Sequence, residues 1–212
     1  MTPYPEYETS EPGIRRVAYV VSLVFHPALM LTYCTAYLMF ATFSPLSRYE
    51  TTQQFMLLGV VFFNTFVVPA AVTWFTQANL ELTEQRERTQ PILFGALLHG
   101  ITWYFLYTNR LPAFYSGLFL AATISLVLGV AINLRYRISF HAVGMGLVAG
   151  LFLGLSWSEP HNYHHELMGA FVLSGMVLSA RWALGAHAPH QMLTGWLVGA
   201  GLAMFLVGGW AA

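Results

Sequence analysis

The sequence predicts an all-α integral membrane protein, built as a polytopic bundle of about seven transmembrane helices. Apolar residues make up 57% of the 212 residues and charged residues only 8%, a balance that a water-soluble globule of this size cannot place on its surface. Apolar runs also recur along the chain with no long polar insert between them. We therefore expect a short polar tail over residues 1–14 and a single transmembrane helical domain over residues 15–212.

Seven runs are candidate spans, for which roughly 20 predominantly apolar residues are needed. In chain order they cover residues 17–43, 55–75, 92–107, 112–132, 141–157, 167–184 and 189–210. The first is long and contains His26-Pro27, so we expect it to bend where proline removes a helical hydrogen bond. The third and fifth are short, which favours tilting or contact with a polar cavity.

Several spans carry polar or small residues whose roles follow from their positions. Asn64 and Pro69 in the second span, and Asn133 at the end of the fourth, are expected to satisfy backbone groups or line a polar cavity. Glycine recurs every fourth residue in the fifth span and again in the seventh, which predicts close helix contact there. These glycines are Gly146, Gly150 and Gly154, then Gly195 and Gly199.

The basic residues are unevenly divided between the two membrane faces that alternating spans create. All nine are arginine, and the chain contains no lysine and no aspartate. Seven fall on the face that holds the N-terminus, and two, Arg48 and Arg110, fall on the other. The seven are Arg15, Arg16, Arg86, Arg88, Arg135, Arg137 and Arg181.

Three segments on the arginine-rich face carry arginine, and the last two also carry histidine; they cover residues 81–91, 137–141 and 179–191. Ionisable groups are costly at membrane depth, so their gathering on one face suggests a shared anionic ligand. Guanidinium groups match phosphate oxygens in geometry, and Pro189 stands where a helix would begin, which exposes backbone N–H groups to an anion. The alternative is that these arginines only snorkel to the interface and set the topology.

The second and third of these segments resemble the motifs of the type 2 phosphatidic acid phosphatase superfamily, the integral-membrane relatives of vanadium haloperoxidases. That family reads Lys, six residues, Arg-Pro; then Pro-Ser-Gly-His; then Ser-Arg, five residues, His, three residues and Asp. Arg181, His187 and Gln191 reproduce the spacing of the third motif. Ser139 and His141 hold the serine and histidine places of the second. The resemblance covers about residues 81 to 199 and implies a six-helix phosphatase-like core.

Two departures from the family pattern bear on catalysis. Gln191 stands where the family has aspartate, and no aspartate exists elsewhere in the chain to replace it. In the first motif Thr83 and Gln90 stand where lysine and arginine are expected, and the nearby Arg86 and Arg88 could substitute for them.

The resemblance implies a phosphoric ester or diphosphate hydrolase that needs no cofactor and no metal. His187 would attack phosphorus to form a phosphohistidine, His141 would protonate the leaving oxygen, and Gln191 would accept a hydrogen bond from the His187 imidazole. The implied phosphate-binding residues are Arg181, Ser139, Arg137, Arg88 and Arg86. We expect these segments to converge on one polar cavity at the membrane boundary, although up to 50 residues separate Ser139, His141, Arg181 and His187.

The expected partners are membrane lipids and a phosphorylated lipid or prenyl diphosphate substrate, with no nucleic acid. A homo-oligomer or a larger membrane complex is left open. The expected location is the bacterial inner membrane. The resemblance implies a site that opens to the periplasm, whereas the arginine excess by itself favours the cytoplasmic face.

Other functions stay open at this stage. A non-catalytic phosphatase-like protein that binds anionic lipid, or serves as a structural subunit, is favoured by the two departures. A haem or quinone redox subunit would rest on His26 and His99 alone, and residues 161–166 are more typical of a hydrated interfacial loop than of a zinc site. The single Cys34 excludes a disulfide, and the lack of aspartate excludes an aspartate-rich prenyltransferase.

Overall fold

The computed structural model describes residues 11–76 and 89–209, and within these ranges every regular element is a helix. The all-α prediction is therefore confirmed for this part of the chain. The helices are α1 Pro12–Val24, α2 Pro27–Phe40, α3 Thr51–Phe62, α4 Val68–Thr76, α5 Thr89–Thr108, α6 Ala113–Asn133, α7 Phe140–Ser158, α8 His164–Ala183 and α9 Pro189–Gly208.

Four stretches of helix are long and apolar enough to cross a membrane: α3 through α4 over Thr51–Trp74, then α6, α7 and α9. The α1–α2 pair makes a fifth if it is one broken span. Helices α5 and α8 are each 20 residues long but fall outside this set, and α8 carries a His-His-Glu start and an arginine in its last turn. The described helices thus fit a membrane protein, and the count of seven spans stays a prediction.

The predicted bend in the first span is confirmed as a 60° break between α1 and α2. Pro27 is the first residue of α2 and cannot donate a backbone hydrogen bond. His26 caps α2, since its Nδ1 accepts from the Ala28 N–H at 3.3 Å. The freed carbonyl of Val24 accepts from the Tyr33 hydroxyl at 2.9 Å, so the break costs few unsatisfied backbone groups.

A single π-helical turn, Phe63–Val67, joins α3 to α4. It ends just before Pro69, which lacks the N–H that a regular turn would use there. The turn directs two adjacent polar side chains to different neighbours. Asn64 donates to the Thr102 hydroxyl of α5 at 3.1 Å, and the Thr65 hydroxyl lies 3.1 Å from that of Thr32 in α2. Asn64 therefore pairs with a side-chain hydroxyl of α5, whereas its position predicted a role in satisfying backbone groups or lining a polar cavity.

Helices α7 and α9 form the closest pair in the bundle. A Cβ atom added at Gly146 would overlap the Trp196 carbonyl oxygen, and one added at Gly199 would overlap that of Val143. Only glycine permits this approach of two backbones. The contact predicted from the glycine spacing is confirmed.

The core lies between this pair and the flanking helices α2 and α6. Tyr115 of α6 is wholly buried, and its hydroxyl lies 2.7 Å from that of Thr35 in α2. Since a buried hydroxyl without a partner is costly, this pair fixes how α2 and α6 align. As a result of this packing, four parts of the structure lie at the same end of the bundle. They are the start of α7, the end of α8, the start of α9 and the α1–α2 break.

Candidate functional site

His141 lies in the first turn of α7, and contacts from three other elements surround it. Its Nε2 donates to the backbone carbonyl of Ser22 in α1 at 3.1 Å. Its ring packs edge-on against that of His26, with centroids 5.6 Å apart. It also interacts electrostatically with Arg181 and His187. With Nε2 held by a carbonyl, Nδ1 is the nitrogen left to exchange a proton.

Arg181 lies in the last turn of α8, where the helix dipole favours a cation. Its Nη1 lies 3.5 Å from the Ser22 hydroxyl oxygen, to which it donates. Ser22 thus meets both site residues, with its carbonyl on His141 and its side chain on Arg181. The guanidinium also interacts electrostatically with His26, so the α1–α2 break and the end of α8 share one cationic cluster.

His187 and Gln191 are held by the turn between α8 and α9. Gly185 adopts φ +65° there, a left-handed conformation that reverses the chain after α8. The Gln191 Oε1 atom accepts from the Ala188 N–H at 3.1 Å and lies 3.4 Å from His187 Nδ1. Both side chains are buried. The Gln191 carbonyl therefore caps α9 and faces the imidazole, which leaves Nε2 of His187 as its second nitrogen.

The other predicted site residues lie apart from these contacts or outside the described residues. Ser139 is wholly buried and caps α7, its Oγ accepting from the Ala142 N–H at 3.4 Å. Arg137 is exposed in the turn before α7, and in the described ranges no hydrogen bond joins it to the cluster. Arg86 and Arg88 lie outside the described residues.

Sequence reasoning missed two members of the cluster, His26 and Ser22. The dipeptide His26-Pro27 was interpreted as a bend and His26 as at most a haem or quinone ligand, and Ser22 sits in an otherwise apolar run. The available signal was a histidine placed at a proline break, where a helix exposes polar backbone groups. Their role depends on packing, because 119 residues separate Ser22 from His141.

The cluster contains three histidines, His26, His141 and His187, together with Arg181. In the part of the chain that the structure describes, no group of three His, Cys, Asp or Glu residues has the arrangement of a metal site. The cluster thus gathers one guanidinium and three imidazoles near the starts of α7 and α9.

The opposite end of the bundle is closed by aromatic packing. The His161 ring stacks on Phe43 with centroids 4.6 Å apart and meets Tyr163 edge-on. Tyr37 donates to Glu166 Oε1 at 2.9 Å. Burial first, and then the nearby glutamates 159 and 166, raise the pKa of Tyr163 to about 12. These groups pack against one another, which gives residues 161–166 a structural role.

His99, the other histidine considered for haem, lies buried in α5 and pairs through Nδ1 with the Gly95 carbonyl at 2.6 Å. A histidine bonded to its own helix in this way is a satisfied buried side chain.

Comparison of the chain with protein-family models, with curated proteins and with solved structures found no match.

Proposed function

We propose that this protein is an integral-membrane phosphatase that acts on a lipid phosphate or a prenyl diphosphate through a phosphohistidine intermediate. The observation that carries the proposal is the meeting of His141, Arg181 and His187, from three helix ends, at one end of the bundle. The resemblance implies that these three residues act together. A guanidinium grouped with imidazoles suits a phosphoryl group, whose charge it can neutralise while one imidazole attacks and the other donates a proton.

The hydrogen bonds assign the nitrogen atoms in this mechanism. His187 attacks phosphorus through Nε2, because its Nδ1 faces Gln191. The bond from phosphorus to the leaving oxygen breaks, and that oxygen takes the Nδ1 proton of His141 in its imidazolium form, while Nε2–H stays on the Ser22 carbonyl. Water then attacks the phosphohistidine and the bond from phosphorus to His187 Nε2 breaks. One proton of that water returns to His141 Nδ1, and inorganic phosphate leaves. Arg181 stabilises the equatorial oxygens in both steps.

The membrane arrangement belongs to the same proposal. Helices α5 and α8 join the more apolar helices to complete seven spans around a six-helix phosphatase-like core. The hydrocarbon tail of the substrate stays in the bilayer while its head group reaches the cluster. The bacterial inner membrane, which contains both lipid phosphates and prenyl diphosphates, is the proposed location.

The test is phosphate release by purified protein from a panel of lipid phosphates and prenyl diphosphates, compared with His187→Ala. The matched control is His190→Ala, because His190 is exposed in the first turn of α9 and its ring lies against Tyr136, outside the cluster. We expect release by the parent protein and by the control, with loss of at least a hundredfold in His187→Ala. Equal release from His187→Ala and the parent would overturn the proposal.

A second candidate is a non-catalytic protein of the same architecture that holds an anionic lipid. The specific observation in its favour is Gln191, whose neutral amide caps α9 and cannot neutralise an imidazolium. This candidate predicts that phosphatidic acid stabilises the protein against heat while no substrate turns over, and that His187→Ala weakens that stabilisation.

A further inference from the structure

Helix α1 packs alongside the last part of α8 at the arginine-rich end of the bundle. Ser22 of α1 contacts Arg181 of α8, and Val21 and Phe25 of α1 pack in one apolar cluster with Leu173 and Leu178 of α8. Seven residues before Ser22, Arg15 shares a groove with Leu184, just past the end of α8. The groove therefore lies where the start of α1 meets the end of α8.

The start of α1 carries both basic and apolar side chains. Only Ala18 and Ser22 of this helix are buried, and much of the remaining surface is apolar and exposed. Arg15 and Arg16 stand near its first residue. Exposed apolar side chains beside basic residues are typical of a helix end at the membrane interface.

A groove between α1 and the end of α8 combines both kinds of surface. It is lined by Arg15, Arg16, Tyr19, Val20 and Leu184, all on the N-terminal side of Ser22 or just past α8. The two adjacent guanidinium groups are exposed at one part of the groove, and aliphatic side chains form its floor. A tyrosine ring at this depth is typical of the headgroup level.

We propose that this groove binds one anionic phospholipid, with its phosphate on Arg15 and Arg16 and an acyl chain along Val20 and Leu184. The choice of ligand follows from charge complementarity at the guanidinium groups and from the apolar floor, which inorganic phosphate alone leaves uncovered. The groove lies outside the histidine cluster, so this site does not depend on the proposed phosphatase activity. Lipid binding also affects the cluster, because the lipid holds in place the helix that carries Ser22, which contacts His141 and Arg181.

Lipid retention measured by native mass spectrometry tests the site directly. The full-length protein is titrated with phosphatidylglycerol, phosphatidylcholine or inorganic phosphate, and compared with Arg15→Gln/Arg16→Gln. A basic residue near an anionic headgroup contributes a factor of about five in affinity, so we expect roughly 25-fold weaker phosphatidylglycerol binding in the double variant. The charge-matched control, Arg48→Gln/Arg135→Gln, removes two exposed arginines outside the groove and should bind as the parent does.

Equal phosphatidylglycerol binding by the double variant and the parent would overturn the proposal, as would equal binding of phosphatidylcholine or of inorganic phosphate by the parent. Val20→Glu gives a second variant that should fold, because Val20 is 55% exposed, and its carboxylate should repel the lipid.

Discussion

At the scale of single residues, His26 combines two tasks in one imidazole. Its Nδ1 accepts from Ala28 and caps α2, while its ring packs against His141. A nitrogen that accepts a backbone N–H carries no proton of its own, so the second nitrogen, Nε2, is the donor in the neutral ring. His26 therefore offers a hydrogen-bond donor to the site while it still caps α2.

His26→Asn separates these two tasks. Asparagine is among the best helix caps, so the thermal unfolding midpoint should stay close to that of the parent. Phosphate release should fall by about tenfold or more, because His141 loses the ring that packs against it and the cluster loses a donor. Unchanged release by a folded His26→Asn protein would show that His26 only caps α2.

Replacing the amide of Gln191 by a carboxylate changes the charge of the site. Gln191→Glu keeps the acceptor for the Ala188 N–H and places a carboxylate beside His187. The carboxylate should stabilise the imidazolium that forms when His187 is protonated, and the start of α9 favours its ionised form. We expect kcat to rise by about tenfold or more in a phosphate-release assay. A folded variant whose kcat equals that of the parent would contradict this role.

At the scale of elements, one added methyl group at the α7–α9 contact should have a large effect on stability. Gly199→Ala should destabilise the protein by about 1–3 kcal/mol, because the new Cβ overlaps the Val143 carbonyl oxygen. Gly201→Ala is the matched control in the same helix, since nothing lies within 4 Å of its added Cβ. Thermal unfolding in detergent measures both. Equal midpoints for the two variants would mean that α7 and α9 are farther apart than described.

The sequence predicted the helices better than it predicted where each helix begins and ends. Proline 27 located the α1–α2 break because its missing N–H acts locally. The π turn before Pro69 was not predicted, since it depends on partners in two other helices, Thr32 and Thr102. In the site, motif spacing pointed to His141, Arg181 and His187, whereas Ser22 joins them through a backbone carbonyl that no side-chain pattern reveals.

At the scale of the whole molecule, the two ends of the bundle differ in chemistry. One end gathers imidazole and guanidinium groups from α1, α2, α7, α8 and the start of α9. The other is closed by the aromatic packing around Tyr163. Helix α9 runs from the first end to the second, so its last residue, Gly208, lies away from the cluster.

A reporter fused after Ala212 tests which end faces the periplasm. If the cluster opens to the periplasm, as the resemblance implies, a fluorescent protein fused there should fold in the cytoplasm and fluoresce. Alkaline phosphatase fused at the same point should be inactive, because it needs the periplasm to form its disulfides. Active alkaline phosphatase would place the cluster on the cytoplasmic face, in line with the positive-inside rule.

The backbone contact between α7 and α9 also has a mechanical consequence. Where the two main chains are in direct contact, no side chain lies between them that could change rotamer and let the helices slide. The two helices should therefore move together as one rigid unit. In the proposed phosphatase, a lipid substrate would have to reach the histidine cluster without separating α7 from α9. Helix α1 joins α2 at the break between Val24 and Pro27, and most of its residues are exposed. Displacement of α1 about that break would open a path to the cluster and leave the α7–α9 contact undisturbed.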